Sequence, residues 1–218
     1  DGAKLTATGG IRLSEGNELT IYGQAEGSGS LVTVSVPEDC AGIGGARYVA
    51  SGTLTINGGQ ITATGGADGP GLGGGDHADN GVVTINGGVV TATGGTHGAG
   101  IGGAGDVPPG SIGTVTINGG TVRVTGGVEA NDIGSYQGKG KPGLLTITGG
   151  SVYCVNGTDV QPKNAAKQAV YCVTVEGLGS LGSTVRLVGL VGYGDTDIYP
   201  DANGKIYLWL PNCEGVFS

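Results

Sequence analysis

The chain has 218 residues, of which 51 are glycine and only 13% are charged, and its formal charge is −8. Collagen would need Gly at every third position with abundant proline, and the 8 prolines fall in no such register. Disorder is opposed by the regular Val, Ile, Leu and Thr between the glycines, no basic run or stripe points to nucleic acid, and no apolar stretch approaches the roughly 20 residues of a membrane span.

Residues 1–10, DGAKLTATGG, read as the second half of a repeat, and Ile11 to Leu13, Glu18 to Gly23 and Leu31 to Val36 alternate with period two as half-buried strands do. We take residues 1–30 as an N-terminal cap or a first, degenerate coil. The pattern then becomes explicit. GTLTINGGQITATGG (Gly52 to Gly66) returns as GVVTINGGVVTATGG (Gly81 to Gly95), as GTVTINGGTVRVTGG (Gly113 to Gly127) and, worn, as GLLTITGGSVYCVNG (Gly143 to Gly157). A period of about 30 residues means a stack of supersecondary units. A third short piece follows each pair of strands, with one apolar residue apiece: Ile43, Leu72, Ile101 and Ile133. Three short β segments per unit with Gly-rich corners predict an all-β fold, a right-handed three-sided parallel β-helix of about four to five coils.

Period two assigns the faces. Leu54 and Ile56, with their counterparts Val83, Ile85, Val115, Ile117, Leu145 and Ile147, point inward on the first wall, and Ile61, Ala63, Val90, Ala92, Val122, Val124, Val152 and Cys154 on the second. The small residues among them predict a narrow interior filled by side chains, with no room for an internal ligand. Thr55, Thr84, Thr116 and Thr146 form an outward column. Asn57, Asn86 and Asn118, with Thr148 after them, share one corner, where stacked amides would hydrogen-bond along the axis. The Gly after each Asn (Gly58, Gly87, Gly119) is expected to supply the positive φ of that corner.

Thr55 to Thr84 is 29 residues, the next interval 32 and the last 30, so the units differ in length only after the third segment. The variable pieces, Asp76 to Asn80, Gly105 to Ile112 and Tyr136 to Gly143, fall on one edge, a natural place for function. After Gly157 the text becomes polar, and strand-like runs at Ala169 to Val175, Thr184 to Leu190 and Lys205 to Leu210 predict a C-terminal β cap or small β domain over 158–218, following the repeat domain of 1–157. Asn203-Gly204 is a hairpin signal there, and the cap holds the only Trp, Trp209. Of the four cysteines, Cys154 and Cys172 could close a loop of the size that disulfides stabilise. Buried free thiols fit Cys40, Cys154, Cys172 and Cys213 as well. With no Met and no signal-peptide pattern, the chain reads as an internal piece of a larger multidomain protein, monomeric within it.

Three groups are candidates for a site. In the loop of Asp76, His77, Asp79 and Asn80, the side chains of Asp76, Asp79 and Asn80 offer oxygen ligands at a spacing suited to calcium, against the ordinary reading of a solvated loop, and no other cofactor is suggested. Asp195, Asp197, Asp201 and Asn203 form a second acidic group that lacks the spacing and closing Glu of an EF-hand, and turn chemistry explains it. Arg123 and Tyr153 interrupt the outward column begun by Thr62 and Thr91. On adjacent coils they would lie side by side, a cation next to an aromatic face, which is how a flat surface can hold a sugar. Tyr136 in the adjoining loop adds to that ligand-binding surface.

The combination T-[VL]-T-I-N-G-G, [VI]-T-A-T-G-G and G-[AP]-G-[IL]-G-G resembles repeat-bearing surface proteins of Gram-positive, often gut-dwelling, bacteria. The resemblance covers about Leu31 to Gly150, and the tail Ile198 to Pro211 looks like the C-terminal unit that often follows such repeats. It implies an extracellular β-helix on the bacterial cell surface, in roles grouped as adhesion or carbohydrate binding, with a glycan or host surface ligand as partner. It transfers no catalytic residue. The expectation is a non-catalytic binding module. The alternatives are a spacer with no ligand and a β-helix enzyme cleaving acidic polysaccharide, for which His77 and His97 fall near equivalent positions in successive coils but have no base-orienting acid paired with them. A Thr-x-Thr ice-binding face, Thr62/Thr64 and Thr91/Thr93, fails after two rungs.

Overall fold

The computed structural model describes residues 2–23, 29–36, 38–105, 111–141, 143–154, 156–178, 184–187 and 196–211. Sixteen strands wind through five coils and begin a sixth. The first coil holds β1 (Lys4–Thr8), β2 (Ile11–Arg12) and β3 (Glu18–Ile21), the second β4 (Ser30–Val34), β5 (Ile43–Gly44) and β6 (Thr53–Ile56). The third holds β7 (Gln60–Thr64), β8 (Leu72–Asp76) and β9 (Val82–Ile85), the fourth β10 (Val89–Thr93), β11 (Ile101–Ala104) and β12 (Thr114–Ile117). The fifth holds β13 (Thr121–Thr125), β14 (Ile133–Gly134) and β15 (Leu144–Ile147), and β16 (Ser151–Cys154) opens the sixth. Every third strand pairs in parallel, giving sheets β3-β6-β9-β12-β15, β1-β4-β7-β10-β13-β16 and β2-β5-β8-β11-β14, our first, second and third walls. The chain is an all-β parallel solenoid, and no helix forms among the described residues.

The repeat spacing sets the register. Thr55 pairs with Thr84, Thr84 with Thr116 and Thr116 with Thr146, so the inserted residues leave the ladder undisturbed. Glu18–Ile21 aligns with Thr53–Ile56, and Leu31 with Ile61, as the sequence predicts for a first degenerate coil. Inward residues from Leu54 and Ile56 to Val122 and Ile133 are at most a few per cent exposed and form one continuous core, against which Ile11, Leu19, Ile21 and Leu31 of the first strands and Cys154 of β16 pack partly buried. Burying each large aliphatic side chain contributes about 1.5–3 kcal/mol.

The Asn column forms the expected amide chain. Asn86 Nδ2 donates to Asn57 Oδ1 at 2.7 Å, Asn118 Nδ2 to Asn86 Oδ1 at 2.9 Å, and Thr148 Oγ1 to Asn118 Oδ1 at 2.7 Å. The corner glycine is one residue later than expected. Positive φ falls at Gly59 (88°), Gly88 (89°), Gly120 (84°) and Gly150 (84°), and not at the Gly directly after each Asn. The N–H of each Asn still donates to the coil before it, Asn57 to Ile21 O, Asn86 to Ile56 O and Asn118 to Ile85 O, each at 2.8 Å, so the Asn continues the strand and the positive φ falls at the second Gly.

After β16 the chain covers the last coil. Thr158 bridges Ile133 and Lys163 bridges Thr146, both in parallel, and Val160, Val170 and Trp209 pack on the core. Two antiparallel pairs follow, β17 (Val170–Val175) with β20 (Ile206–Pro211), and β18 (Val185–Leu187) with β19 (Thr196–Ile198). The Asn203-Gly204 turn forms, with Gly204 at φ 69° and its N–H on Asp201 O. It does not close a simple hairpin, because β19 and β20 pair with other strands. Trp209 Nε1 donates to Val152 O at 3.0 Å, which covers a carbonyl of β16, the edge strand of the second wall. Cys40, Cys154 and Cys172 are free thiols, and Cys213 lies outside the described residues.

Candidate functional site

The third wall is narrow because of its glycines. Gly44, Gly73 and Gly102 have φ of 142°, 137° and 143°, and a Cβ on any of them would overlap the carbonyl at the same position in the next coil. The chain therefore turns sharply around the buried Ile or Leu, and the residues just outside each segment pair with one another. Gly98 bridges Ala104, Ala130 bridges Tyr136, and Asp76 N donates to Asp39 O at 2.9 Å. Side chains from the two corners flanking this wall are thus drawn together, and they line a cleft of about 460 Å³.

One file along the cleft comes from the corner after the second wall. His97 Nδ1 lies 2.5 Å from Asp68 Oδ1, and His97 Nε2 3.3 Å from Glu129 Oε2, so the imidazole is held between carboxylates of the coils before and after it. Tyr136 stands edge-on to His97 with ring centroids 5.3 Å apart, and its hydroxyl donates to Glu129 Oε2 at 3.0 Å. Lys139 Nζ sits 5.7 Å from the same ring.

A second file comes from the corner after the third wall. Arg47 reaches Asp76 at 3.4 Å and Asp39 at 3.6 Å, and His77 Nε2 lies 3.3 Å from Asp76 Oδ2. The rings of Tyr48 and His77 stack at 5.3 Å and 12°, with the Arg47 guanidinium 5.0 Å from the tyrosine centroid. Tyr48, His77 and Gln137 all have positive φ (59°, 57° and 48°) at this corner. For side chains with a Cβ that conformation costs about 1–2 kcal/mol each, and such strain concentrates at functional sites. In the fourth coil Gly105 occupies the equivalent bend, where a Cβ would collide with Asp76 and His77. Burial pushes the Asp76 carboxyl above its ordinary value, against the downward pull of His77 and Arg47. The cleft therefore offers carboxylates to accept hydroxyl protons, fixed donors, and ring faces for apolar CH surfaces.

The expected sugar-binding group is divided. Arg123 and Tyr153 are cross-strand partners, with the guanidinium 5.9 Å from the ring centroid. Both are half-buried, since Tyr207 of β20 packs on Tyr153 at 4.6 Å and its N–H donates to Ser151 Oγ at 3.0 Å. Tyr199 N and Thr121 Oγ1 join at 2.8 Å in the same seam between solenoid and cap. Tyr136 lies in the cleft among residues other than Arg123 and Tyr153. Asp76, Asp79 and Asn80 are committed to different partners. Asp76 faces Arg47 and His77, Asp79 accepts from Ser111 N at 2.9 Å and lies 3.7 Å from Lys141, and buried Asn80 donates to Ile112 O at 2.7 Å. Among the described residues no group of three or more His, Cys, Asp or Glu could hold a metal ion.

Asp201 is a turn residue, as its chemistry predicts. Burial alone would raise its carboxyl, but the N–H groups of Lys205 and Asn203 and the Tyr207 hydroxyl hold it below the ordinary value. Burial and that same carboxylate push the Tyr207 phenol up to about 12. Asp195 lies outside the described residues.

Two expectations about the histidines are corrected. His77 follows the third wall and His97 the second, so they are not equivalent positions, and each has a carboxylate partner, the adjacent Asp76 for His77 and Asp68, 29 residues earlier, for His97. Asp68 and Glu129 were missed. Their signal is visible on alignment of the units, because GGAD, GGTH and GGVE put Asp68, His97 and Glu129 at the same place after successive Gly-Gly corners.

The family described as Beta helix repeat matches residues 54–76, which run from β6 of the second coil to β8 of the third, and residues 83–106, which run from β9 of the third coil past β11 of the fourth. No curated protein matches the chain, and no solved structure does. The β-helix repeat fold occurs in enzymes and in non-enzymes, so the match speaks to architecture.

Proposed function

We propose that this chain is a non-catalytic glycan-binding module of a bacterial cell-surface protein, with its ligand in the cleft over the third wall. The observation that carries the reading is the composition of that cleft. Asp39, Asp68, Asp76 and Glu38 line it together with Arg47, His77, His97 and Tyr136. Rings that stack on sugar faces and fixed carboxylates that accept vicinal hydroxyls are the two requirements of carbohydrate recognition, and here both stand on a rigid five-coil scaffold. The repeat resemblance supports export to the cell surface. Calcium has no required role in this reading, because neither Asp79 nor Asn80 lines the cleft.

A glycan array, run with and without calcium, tests the proposal. Binding that survives chelation and is lost in His97→Ala and Tyr136→Ala supports it. Absence of binding to any glycan would favour the spacer. Polysaccharide cleavage is the second reading, favoured by the His97–Asp68 contact at 2.5 Å, which fixes an imidazole as a base would need. Release of shortened or unsaturated sugars by the intact protein would establish it in place of simple binding.

A further inference from the structure

The corner after the second wall has one length in the third, fourth and fifth coils. Nine positions separate Ala63 from Leu72, Ala92 from Ile101 and Val124 from Ile133, and strand pairing aligns these residues from coil to coil. Their partners in the sixth coil, Cys154 and Thr158, are only four positions apart, so the chain there omits five residues of the corner. The shortcut is pinned to the fifth coil, because Asn156 N and Nδ2 donate to the buried Asp132 carboxylate at 2.7 and 3.2 Å. Where the omitted corner would stack there is a basin of about 820 Å³, lined by Val128, Glu129, Ala130, Asn131, Gln137 and Asn156 among others.

Hydrogen bonding in the basin is one-sided. In the fourth coil, Thr96 O and Gly98 O accept from Glu129 N and Gly127 N at 3.2 and 3.0 Å. The matching carbonyls of the fifth coil, Val128 O and Ala130 O, accept from no described residue. The amides spend their NH2 groups on the protein, Asn131 on Asp159, Gln137 on the Tyr136 hydroxyl at 2.9 Å and Asn156 on Asp132. Their carbonyl oxygens and the Glu129 carboxylate remain as acceptors. Val128, 90% exposed, adds an apolar surface at the mouth. The basin adjoins the cleft over the third wall, since Tyr136 lines that cleft and its hydroxyl donates to Glu129 at 3.0 Å.

We propose that the basin is a second subsite for the glycan held in the cleft, and that the ligand is a neutral, hydroxyl-rich oligosaccharide long enough to occupy both. The inference rests on the cleft reading above. Acceptors at fixed positions are satisfied by hydroxyl donors. A uronic acid would instead bring further acceptors and negative charge against Glu129 and against the Glu38, Asp39 and Asp68 carboxylates of the cleft. The cleft runs from Asp39 and Arg47 of the second coil to Tyr136 of the fifth, and the basin lies beyond it along the axis, so one linear chain reaches both.

Titration calorimetry with a length series of one neutral glycan hit tests this, paired with amide exchange. The wild type should gain at least about tenfold in affinity from disaccharide to hexasaccharide. Exchange over residues 125–131 should slow with the long ligand only. Val128→Arg, at an exposed position, lays its own donors across the acceptors, so it should keep the disaccharide affinity and lose the gain. Affinity independent of length, a gain without slowed exchange, or a gain untouched by Val128→Arg would overturn the second subsite and leave the cleft reading standing. Tighter binding of a uronic-acid chain of equal length would overturn the assigned ligand class. Binding to no glycan of any length would overturn the cleft reading, and this inference with it.

Discussion

Asp68 Oδ1 and His97 Nδ1 lie 2.5 Å apart although 29 residues of sequence, one coil, separate them. The solenoid makes this contact inevitable once both residues occupy the same place after a Gly-Gly corner. Their side chains are 33% and 40% exposed, so the pair belongs to the surface and adds little to folding. We predict that His97→Ala lowers affinity for the cognate glycan at least about tenfold while stability changes by no more than about 1 kcal/mol. Titration calorimetry and a thermal melt on the same sample check both halves.

The second Gly of each Asn-Gly-Gly corner is the demanding one. Gly88 has φ 89°, and a Cβ there would sit 2.5 Å from Gly59 O, whereas a Cβ on Gly87 comes no closer than 3.2 Å to Asn57 O. Gly88→Val should therefore destabilise by about 2 kcal/mol or more, and Gly87→Ala by less than about 1 kcal/mol. Urea midpoints of the two variants decide. Equal midpoints would contradict the assignment of the turn.

Asn86 both donates to Asn57 and accepts from Asn118, so it sits inside the amide chain. Asn86→Ala removes two exposed hydrogen bonds at about 0.5–1 kcal/mol each. It should lower stability by about twice as much as Asn57→Ala in the same denaturation experiment.

The fold was legible because its signals repeat. The inward files, Leu54 to Leu145 and Ile61 to Val152, are written four times with one physical meaning, and the parallel register follows from their spacing. The glycine that turns the corner was misplaced by one because N-G-G contains two candidates and only backbone geometry separates them. The cleft was harder to read. Asp68, His97 and Glu129 are three different residues at one repeated position, so a search for identity between units passes over them. Its other wall depends on the antiparallel bridges of Gly98 with Ala104 and Ala130 with Tyr136, which period-two reasoning does not supply. Arg123 and Tyr153 were rightly read as neighbours, but nothing in their own strands announces that Tyr207, more than 50 residues on, packs against the pair.

Asp76 gives a pH signature. Its pKa is raised in the folded state chiefly by burial, so the folded protein holds that proton more tightly than the unfolded chain does. Stability from this group accordingly falls as pH climbs through the ordinary carboxylate value of 3.8, and the loss is complete above the raised value. Asp76→Asn should remove this fall, leaving the variant relatively more stable at neutral than at acidic pH. Tm profiles of both proteins from acidic to neutral pH check the sign. Asp201 acts oppositely, since its lowered pKa stabilises above the ordinary value and the benefit is lost as pH falls through the depressed one.

The placement of the ligand is tested most directly by affinity for one glycan hit across three proteins, the wild type, Tyr136→Ala and Arg123→Ala. Tyr136 lines the cleft, and Arg123 belongs to the seam beneath the cap. The account predicts that Tyr136→Ala loses at least about tenfold in affinity, the scale of about 1.4 kcal/mol, while Arg123→Ala binds as the wild type does. Full binding by Tyr136→Ala together with loss in Arg123→Ala would contradict it and return the ligand to the outer face of the second wall.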